Sequence, residues 1–85
     1  MHSLPLFVPL PGQPVILLGT GEPAEAKRRL IERAGGIPVA DETSAARIAF
    51  VALEDEAQAR DAAARLKARG LLVNVVDRPD LCDFT

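Results

Sequence analysis

The sequence predicts an α/β fold: a parallel sheet of about four strands in the order 2-1-3-4, with helices on both faces. Three short aliphatic runs, residues 15–18, 48–53 and 71–76, have the pattern of strands that are covered on both sides. Two segments of helical periodicity alternate with the strands, which is typical of right-handed crossovers between parallel strands. The 85 residues leave room for a single domain, residues 1–85.

The first half of the chain predicts a strand, a helix and an edge strand. The run 15–18 ends at Gly19, and a helix over about 23–34 follows, with Pro23 in the first turn, where proline is tolerated. Gly35 and Gly36 end this helix. Residues 37–40 form a second strand, and Pro38 favours an edge position for it. The positions at helical spacing are Ala24, Lys27, Leu30, Ile31 and Ala34.

The second half repeats the pattern after a short connection. Only eight residues separate Val39 from Ile48, fewer than the roughly 10 of a full crossover. This connection is therefore predicted to be a loop or a single helical turn, and the domain is compressed between its second and third strands. Asp55, with Gln58 three residues later, predicts a helix start. One face of that helix is apolar, and the helix ends before Gly70, followed by the last strand. The apolar face consists of Ala59, Ala62, Ala63 and Leu66.

Composition excludes several classes of function. A net charge of −2 and the absence of Trp and Tyr argue against nucleic-acid binding. The single cysteine, Cys82, excludes an internal disulfide and a multi-cysteine metal site, and His2 has no partner ligand nearby, so no metal site is predicted. Neither a signal peptide nor a membrane span is expected, which favours the cytoplasm. The small size makes self-association, as a homodimer, plausible.

The turn Gly19-Thr20-Gly21, continued by Glu22 and Pro23, fits the pattern G-x-G-x-x-(G/A) that ends at Ala24. The pattern follows a predicted strand and opens a predicted helix, as a Rossmann-type dinucleotide-binding turn requires. Helix N–H groups would face the phosphates there. The alternative is a tight turn without a ligand, because Pro23 removes a donor and Glu22 adds a negative charge.

Two strand ends carry acidic candidates. Asp41 and Glu42 lie about 20 residues beyond the glycines, where a carboxylate would accept hydrogen bonds from the adenosine ribose of NAD; this favours NAD over NADP. Asp77 ends the last strand, at the sheet edge that borders the ligand crevice, and could exchange a proton. Alternatively, Asp41 and Glu42 are solvated loop acids and Asp77 is a turn residue.

Four segments together resemble the NAD-binding part of the precorrin-2 dehydrogenase and sirohydrochlorin ferrochelatase family, the N-terminal part of siroheme synthases. Residues 4–7, LPLF, resemble L-P-[LI]-F, and residues 19–24 with Lys27 resemble G-G-G-x-V-A-x-R-K. Residues 50–56, FVALEDE, resemble V-I-A-A-T-D-D. Residues 73–84, VNVVDRPDLCDF, resemble V-N-V-V-D-x-P-x-L-C-D-F and are the most specific match.

The resemblance implies NAD-dependent oxidation of precorrin-2 to sirohydrochlorin, and in some members metal insertion at the same site. It implies that Asp77 is the catalytic residue and that nucleotide contacts fall on Glu22 and Pro23 and near Thr43 and Ser44. The chain also departs from the family: Thr20 replaces a glycine, and a segment before the third strand is missing. These departures favour the alternative of a non-catalytic binding or dimerisation module. The chain also stops at Thr85, before the dimerisation region and helical remainder of the family, so it is expected to be part of a longer protein or a reduced relative.

Overall fold

Residues 8–84, described by a computed structural model, form a four-stranded parallel sheet with one helix on each face. The strand order is β2-β1-β3-β4, which confirms the predicted topology. The LPLF segment and His2 lie outside the described residues. In chain order the elements are β1 (Pro14–Gly19), α1 (Glu22–Arg33), β2 (Ile37–Val39), β3 (Ile48–Ala52), α2 (Glu56–Ala68), β4 (Leu72–Val75) and a 3-10 turn (Pro79–Leu81).

Side chains along each strand point alternately to the two faces of the sheet, so the interior is divided into two cores, one on each side. On the α1 side, Ile31 packs with strand residues that include Val15 and Leu17. Here the rings of Phe50 and Phe84 meet edge to face, with centroids 5.5 Å apart. On the other side, the α2 residues pack on a second set of strand residues: Ile16, Ala49, Val51, Val73 and Val75.

The apolar face predicted for α2 is confirmed, because Ala59, Ala62, Ala63 and Leu66 are all buried. The predicted helix start is also confirmed: the Asp55 carboxylate accepts a hydrogen bond from the Gln58 backbone N–H at 2.8 Å. Small side chains on this face let the helix approach the sheet closely.

The buried face of α1 is narrower than the spacing of its apolar residues in the sequence suggests. Only Ala24 and Ile31 are buried, whereas Leu30 is 48% exposed. One rotation step of about 100° separates Leu30 from Ile31, which is enough to carry it off the side that meets the sheet.

The short connection between β2 and β3 is a loop of turns, as predicted, and α2 holds it in place. Arg65 donates two hydrogen bonds to the Glu42 carboxylate, at 3.1 and 3.2 Å, which raise the pKa of Arg65. Arg69 donates to the backbone carbonyls of Glu42 and Ser44. No helix in the described part of the chain is long and apolar enough to cross a membrane.

Candidate functional site

Gly19, the last residue of β1, is required by the packing of the sheet. Its φ is +123°, and a Cβ built on it would overlap the carbonyl oxygen of Ala52 and lie 2.6 Å from the carbonyl carbon. Ala52 is its register partner on β3. Gly19 therefore lets the ends of β1 and β3 meet, where a larger residue would separate them.

Gly21 has a different role, because the space beside it is open. Its φ of +84° and ψ of −173° lie in a region that is essentially restricted to glycine. A Cβ there would meet only the Pro23 Cδ, at 3.9 Å. Gly21 is the N-cap of α1, and no side chain among the described residues caps the helix, so N–H groups of the first turn lack a side-chain partner there. The arrangement fits an oxyanion such as a phosphate.

The Glu22 carboxylate is directed along α1 and paired there. It accepts a hydrogen bond from Arg29 Nη2 at 2.8 Å, an interaction that raises the pKa of Arg29. Because an opposite charge offsets that of Glu22, its repulsion toward a phosphate at Gly21 is smaller than the sequence suggests. Pro23 is the second residue of α1, so the N–H groups of Glu22 and Ala24 remain as donors in the first turn.

Two clefts open at the carboxyl edge of the sheet and share the residues that end β3. The glycine-loop cleft, of about 820 Å³, is lined by Gly19, Thr20, Gly21, Ala52, Leu53, Glu54, Asp55 and Gln58. The Asp77 cleft, of about 690 Å³, is lined by Pro23, Ala52, Leu53, Glu54, Glu56, Val76, Asp77, Arg78 and Asp80. A ligand at the β1–β3 boundary, where the strand order reverses, can therefore reach both clefts.

Asp77 lies in the turn that follows β4 and lines the cleft named after it. Its φ is +62°, and it is the single non-glycine residue among 8–84 with a positive φ. Aspartate tolerates this conformation better than most residues, yet at some energetic cost. The exposed carboxylate is thus held at the carboxyl edge, on the far side of β3 from the glycine loop.

Asp41 follows β2, the neighbour of β1, and so lies at the same sheet edge as the glycine loop. Its Oδ1 accepts hydrogen bonds from the Thr43 hydroxyl, at 2.6 Å, and from the Thr43 N–H, at 2.9 Å. These two bonds lower the pKa of Asp41. Within residues 8–84 no hydrogen bond reaches Oδ2, which leaves that oxygen able to accept one from a ligand.

The structure does not bring Thr43 and Ser44 to the clefts. The Thr43 hydroxyl donates to Asp41, and the Ser44 carbonyl accepts a hydrogen bond from Arg69, the C-cap of α2. Because α2 ends just before β4 begins, Ser44 lies toward the edge opposite the glycine loop. Neither residue lines the glycine-loop cleft or the Asp77 cleft, and Asp41 lies at the same sheet edge but outside the lining of both clefts.

Arg78 and Gln58 are among the cleft residues that were not candidates from the sequence. Arg78 follows Asp77 and lines the Asp77 cleft, and Gln58 lines the glycine-loop cleft. The sequence could have indicated Arg78, because this residue follows the end of the last predicted strand, where ligand-binding residues are expected. Gln58 carried no such signal, because its place in the first turn of α2 suggested only a capping role.

The Cys82 thiol has a structural role. It accepts a hydrogen bond from the Val75 N–H and donates to the Val75 carbonyl, each at 3.2 Å. Across the described residues, no group of three or more potential ligands could hold a metal ion.

Comparison with known families matches residues 37–85, from β2 to the end of the chain, to a family described as "Putative NAD(P)-binding". The matched region contains β3, α2 and β4 and therefore most of the residues that line the Asp77 cleft. The glycine loop lies before it.

Comparison with curated proteins covers the glycine loop as well. The chain is 33% identical to a siroheme synthase of Psychrobacter sp., over 99% of the chain and 23% of the relative. It is 32% identical to the siroheme synthase of Methylobacillus flagellatus, over 99% of the chain and 24% of the relative. The chain thus spans about a quarter of the length of these relatives. Both alignments extend over 111 positions, more than the 85 residues of the chain, so the relatives carry extra residues within the aligned region.

Proposed function

The chain belongs to the NAD(P)-binding family that matches residues 37–85, and from that premise we propose that it binds NAD in the oxidation of precorrin-2 to sirohydrochlorin. The siroheme synthase relatives, aligned over 99% of the chain, support this reaction. So does the sequence VNVVDRPDLCDF, which forms β4, the Asp77 turn and the segment after it.

The conformation of Gly21 is the observation that carries the proposal. It combines a backbone that needs glycine, open space where a Cβ would stand and an uncapped helix N-terminus. Gly70 is equally open at the end of α2, so the uncapped helix N-terminus beside Gly21 is what points to an anion. The N–H groups of the first turn of α1 would donate hydrogen bonds to the pyrophosphate.

The choice of NAD over NADP rests on Asp41. The hydrogen bonds from Thr43 hold its carboxylate ionised and oriented, and Oδ2 would accept hydrogen bonds from the hydroxyls of the adenosine ribose. A 2′-phosphate at the same place would be repelled by that charge.

Asp77 would handle the proton of the reaction. Oxidation of precorrin-2 removes two electrons and two protons, as one hydride and one proton. When bound, NAD supplies the acceptor for the hydride. The Asp77 carboxylate, at the edge of the cleft, would take the proton and release it to solvent. The same base would serve in metal insertion, which exchanges pyrrole protons for a metal ion.

Calorimetric titration with NAD and NADP tests cofactor binding, with two matched glycine variants. Gly21→Ala places a methyl group in the open space and strains the backbone, so we expect at least a tenfold loss of NAD affinity. Gly70→Ala is the control, because Gly70 also has a positive φ, +87°, with nothing within 4 Å of the added Cβ, and lies at the end of α2. Equal NAD affinity in both variants, or no binding by the unmodified chain, would contradict the proposal.

A specific observation favours a second candidate, a non-catalytic binding or dimerisation module. The residues that line the glycine-loop cleft include Glu54 and Asp55 but no basic side chain, so a phosphate there would depend on backbone N–H groups and neutral side chains. A stable dimer in light scattering, with no heat on addition of either nucleotide, would favour this alternative.

A further inference from the structure

Arg78 crosses the Asp77 cleft from the end of β4 to the end of β3. Its Nη2 donates a hydrogen bond of 3.0 Å to the backbone carbonyl of Glu54, and the residue is half-buried. This bond fixes the guanidinium between the two strand ends, so the side chain is held in place before any ligand arrives.

The acidic side chains of this cleft are unequally compensated. Glu56 and Asp80 both pair with Arg60, at 3.5 and 3.7 Å, a residue of α2 that does not line the cleft. Glu54 and Asp77 have no ion-pair partner within residues 8–84. Arg78 is the one basic residue among those that line the cleft.

Most of the hydrogen-bonding capacity of Arg78 is unused. A guanidinium carries five N–H donors, and across the described part of the chain only the bond to Glu54 engages any of them. Four carboxylates line the same cleft, yet the guanidinium lies within 4 Å of none of them. A half-buried, oriented cation with free donors is suited to a ligand oxyanion, which it can bind through two parallel hydrogen bonds.

We propose that Arg78 binds a carboxylate of the ligand in the Asp77 cleft and so determines specificity for a substrate with acidic side chains. This inference rests on the proposed function, because the tetrapyrrole carries acetate and propionate groups. A carboxylate suits this position better than a phosphate does, because Glu54 and Asp77 repel a singly charged group less than a doubly charged one. The backbone of the glycine loop, which suits a phosphate, lines the other cleft.

Fluorescence titration with uroporphyrin, a stable tetrapyrrole with acetate and propionate side chains, tests the assignment. Arg78→Gln removes the charge, so we expect about a tenfold or greater loss of affinity, the usual size for a hydrogen bond to a charged group. Arg78→Lys keeps the charge but not the paired donors, so its affinity for uroporphyrin should lie between those of the unmodified chain and Arg78→Gln. The control is Arg47→Gln, because Arg47 is exposed, precedes β3 at the opposite edge and forms no ion pair within residues 8–84.

Titration of the same variants with NAD separates the two possible sources of the oxyanion. Unchanged NAD affinity in Arg78→Gln, together with weakened porphyrin binding, supports the carboxylate assignment. Weakened NAD binding with unchanged porphyrin affinity would overturn it in favour of a cofactor phosphate. Equal porphyrin affinity in all variants, or no porphyrin binding by the unmodified chain, would also overturn it.

The two proposals can fail separately. Absence of NAD binding contradicts the proposed function, and Arg78-dependent porphyrin binding would stand beside that result. Unfolding midpoints of Arg78→Gln and Arg78→Lys, compared with that of the unmodified chain, show whether a loss of affinity reflects loss of the fold.

Discussion

At the carboxyl edge of the sheet, three residues adopt backbone conformations that most side chains avoid, each for its own reason. Gly19 does so because β3 leaves no room for a Cβ, and Gly21 because the chain must turn into α1. Asp77 does so although a glycine would fit its φ of +62° at lower cost. The proton-handling role proposed for Asp77 would account for a carboxylate at this strained position.

The conformation of Asp77 predicts opposite effects of two substitutions on stability. Asp77→Gly relieves the backbone and should raise the free energy of unfolding by up to about 1 kcal/mol, whereas Asp77→Ala should lower it by a similar amount. Urea denaturation measures both. Under the proposed function, each variant should also lose NADH formation with precorrin-2. A glycine variant less stable than the alanine variant would contradict the interpretation of the backbone.

The turn at Asp41 makes a contribution to the stability of the fold that depends on pH. Hydrogen bonds from the side chain and backbone of Thr43 lower the pKa of Asp41 below its ordinary value of 3.8. Because the folded state holds this proton less tightly than the unfolded state, Asp41 stabilises the fold above pH 3.8. The contribution is lost as the pH falls through the lowered pKa.

Removal of the Thr43 hydroxyl should therefore raise the pKa of Asp41. We expect Thr43→Val to move it toward 3.8 without restoring it fully, because the Thr43 N–H still donates to Oδ1. Titration of the Asp41 carboxyl by NMR measures the change, and Thr20→Val serves as the control. A pKa that does not change in Thr43→Val would mean that the hydroxyl bond is not formed in solution.

Among the secondary-structure elements, β4 shows why the most specific sequence segment has its composition. β4 is an edge strand, and its outward backbone groups are satisfied by residues that follow the 3-10 turn. Cys82 bonds both backbone groups of Val75. Asp83 accepts from the Val73 N–H at 3.0 Å and donates its own N–H to the Val73 carbonyl at 2.7 Å. These bonds cover an edge that could otherwise pair with another chain.

The hydrogen bonds between Asp83 and the outer edge of β4 predict a loss of stability when the Asp83 side chain is removed. Asp83→Ala leaves the N–H of the buried Val73 without a partner and should cost about 1–3 kcal/mol, whereas Asp83→Asn retains an acceptor and should cost less. Guanidinium denaturation measures the difference. Equal stability of the two variants would mean that water satisfies this group.

The connection between β2 and β3 illustrates how one element can stabilise another. In place of a crossover helix, Arg65 on α2 and Arg69, the C-cap of α2, bind the loop through Glu42 and Ser44. Ala46 then enters the α2-side core. The number of residues in the sequence predicted a short loop, but the partners of the two arginines lie more than 20 positions away and became evident only in the fold.

In the molecule as a whole, two small cores supply the stability of a domain of 85 residues. Domains of this length are typically stable by about 4–13 kcal/mol, so the loss of one core side chain is a large fraction of the total. Leu66 is among the largest fully buried side chains and packs α2 on the sheet.

Leu66→Ala should therefore destabilise the domain strongly. We expect a loss of about 2–5 kcal/mol, from lost burial together with the cavity that remains. Leu72→Ala is the matched control, since Leu72 is 39% exposed and should cost less than about 1.5 kcal/mol. Thermal and urea unfolding measure both changes, and similar losses would contradict the assignment of Leu66 to the core.

The sequence by itself determined the strand order, the apolar face of α2, the cap at Asp55 and the glycine turn. Each depends on local periodicity, on turn chemistry or on the general handedness of parallel crossovers. Only the tertiary structure decided which candidates meet. It separated Thr43 and Ser44 from the clefts and brought Arg78 beside Asp77 and Glu54. These relations depend on long-range packing, because residues on different strand ends become neighbours only after the sheet has formed.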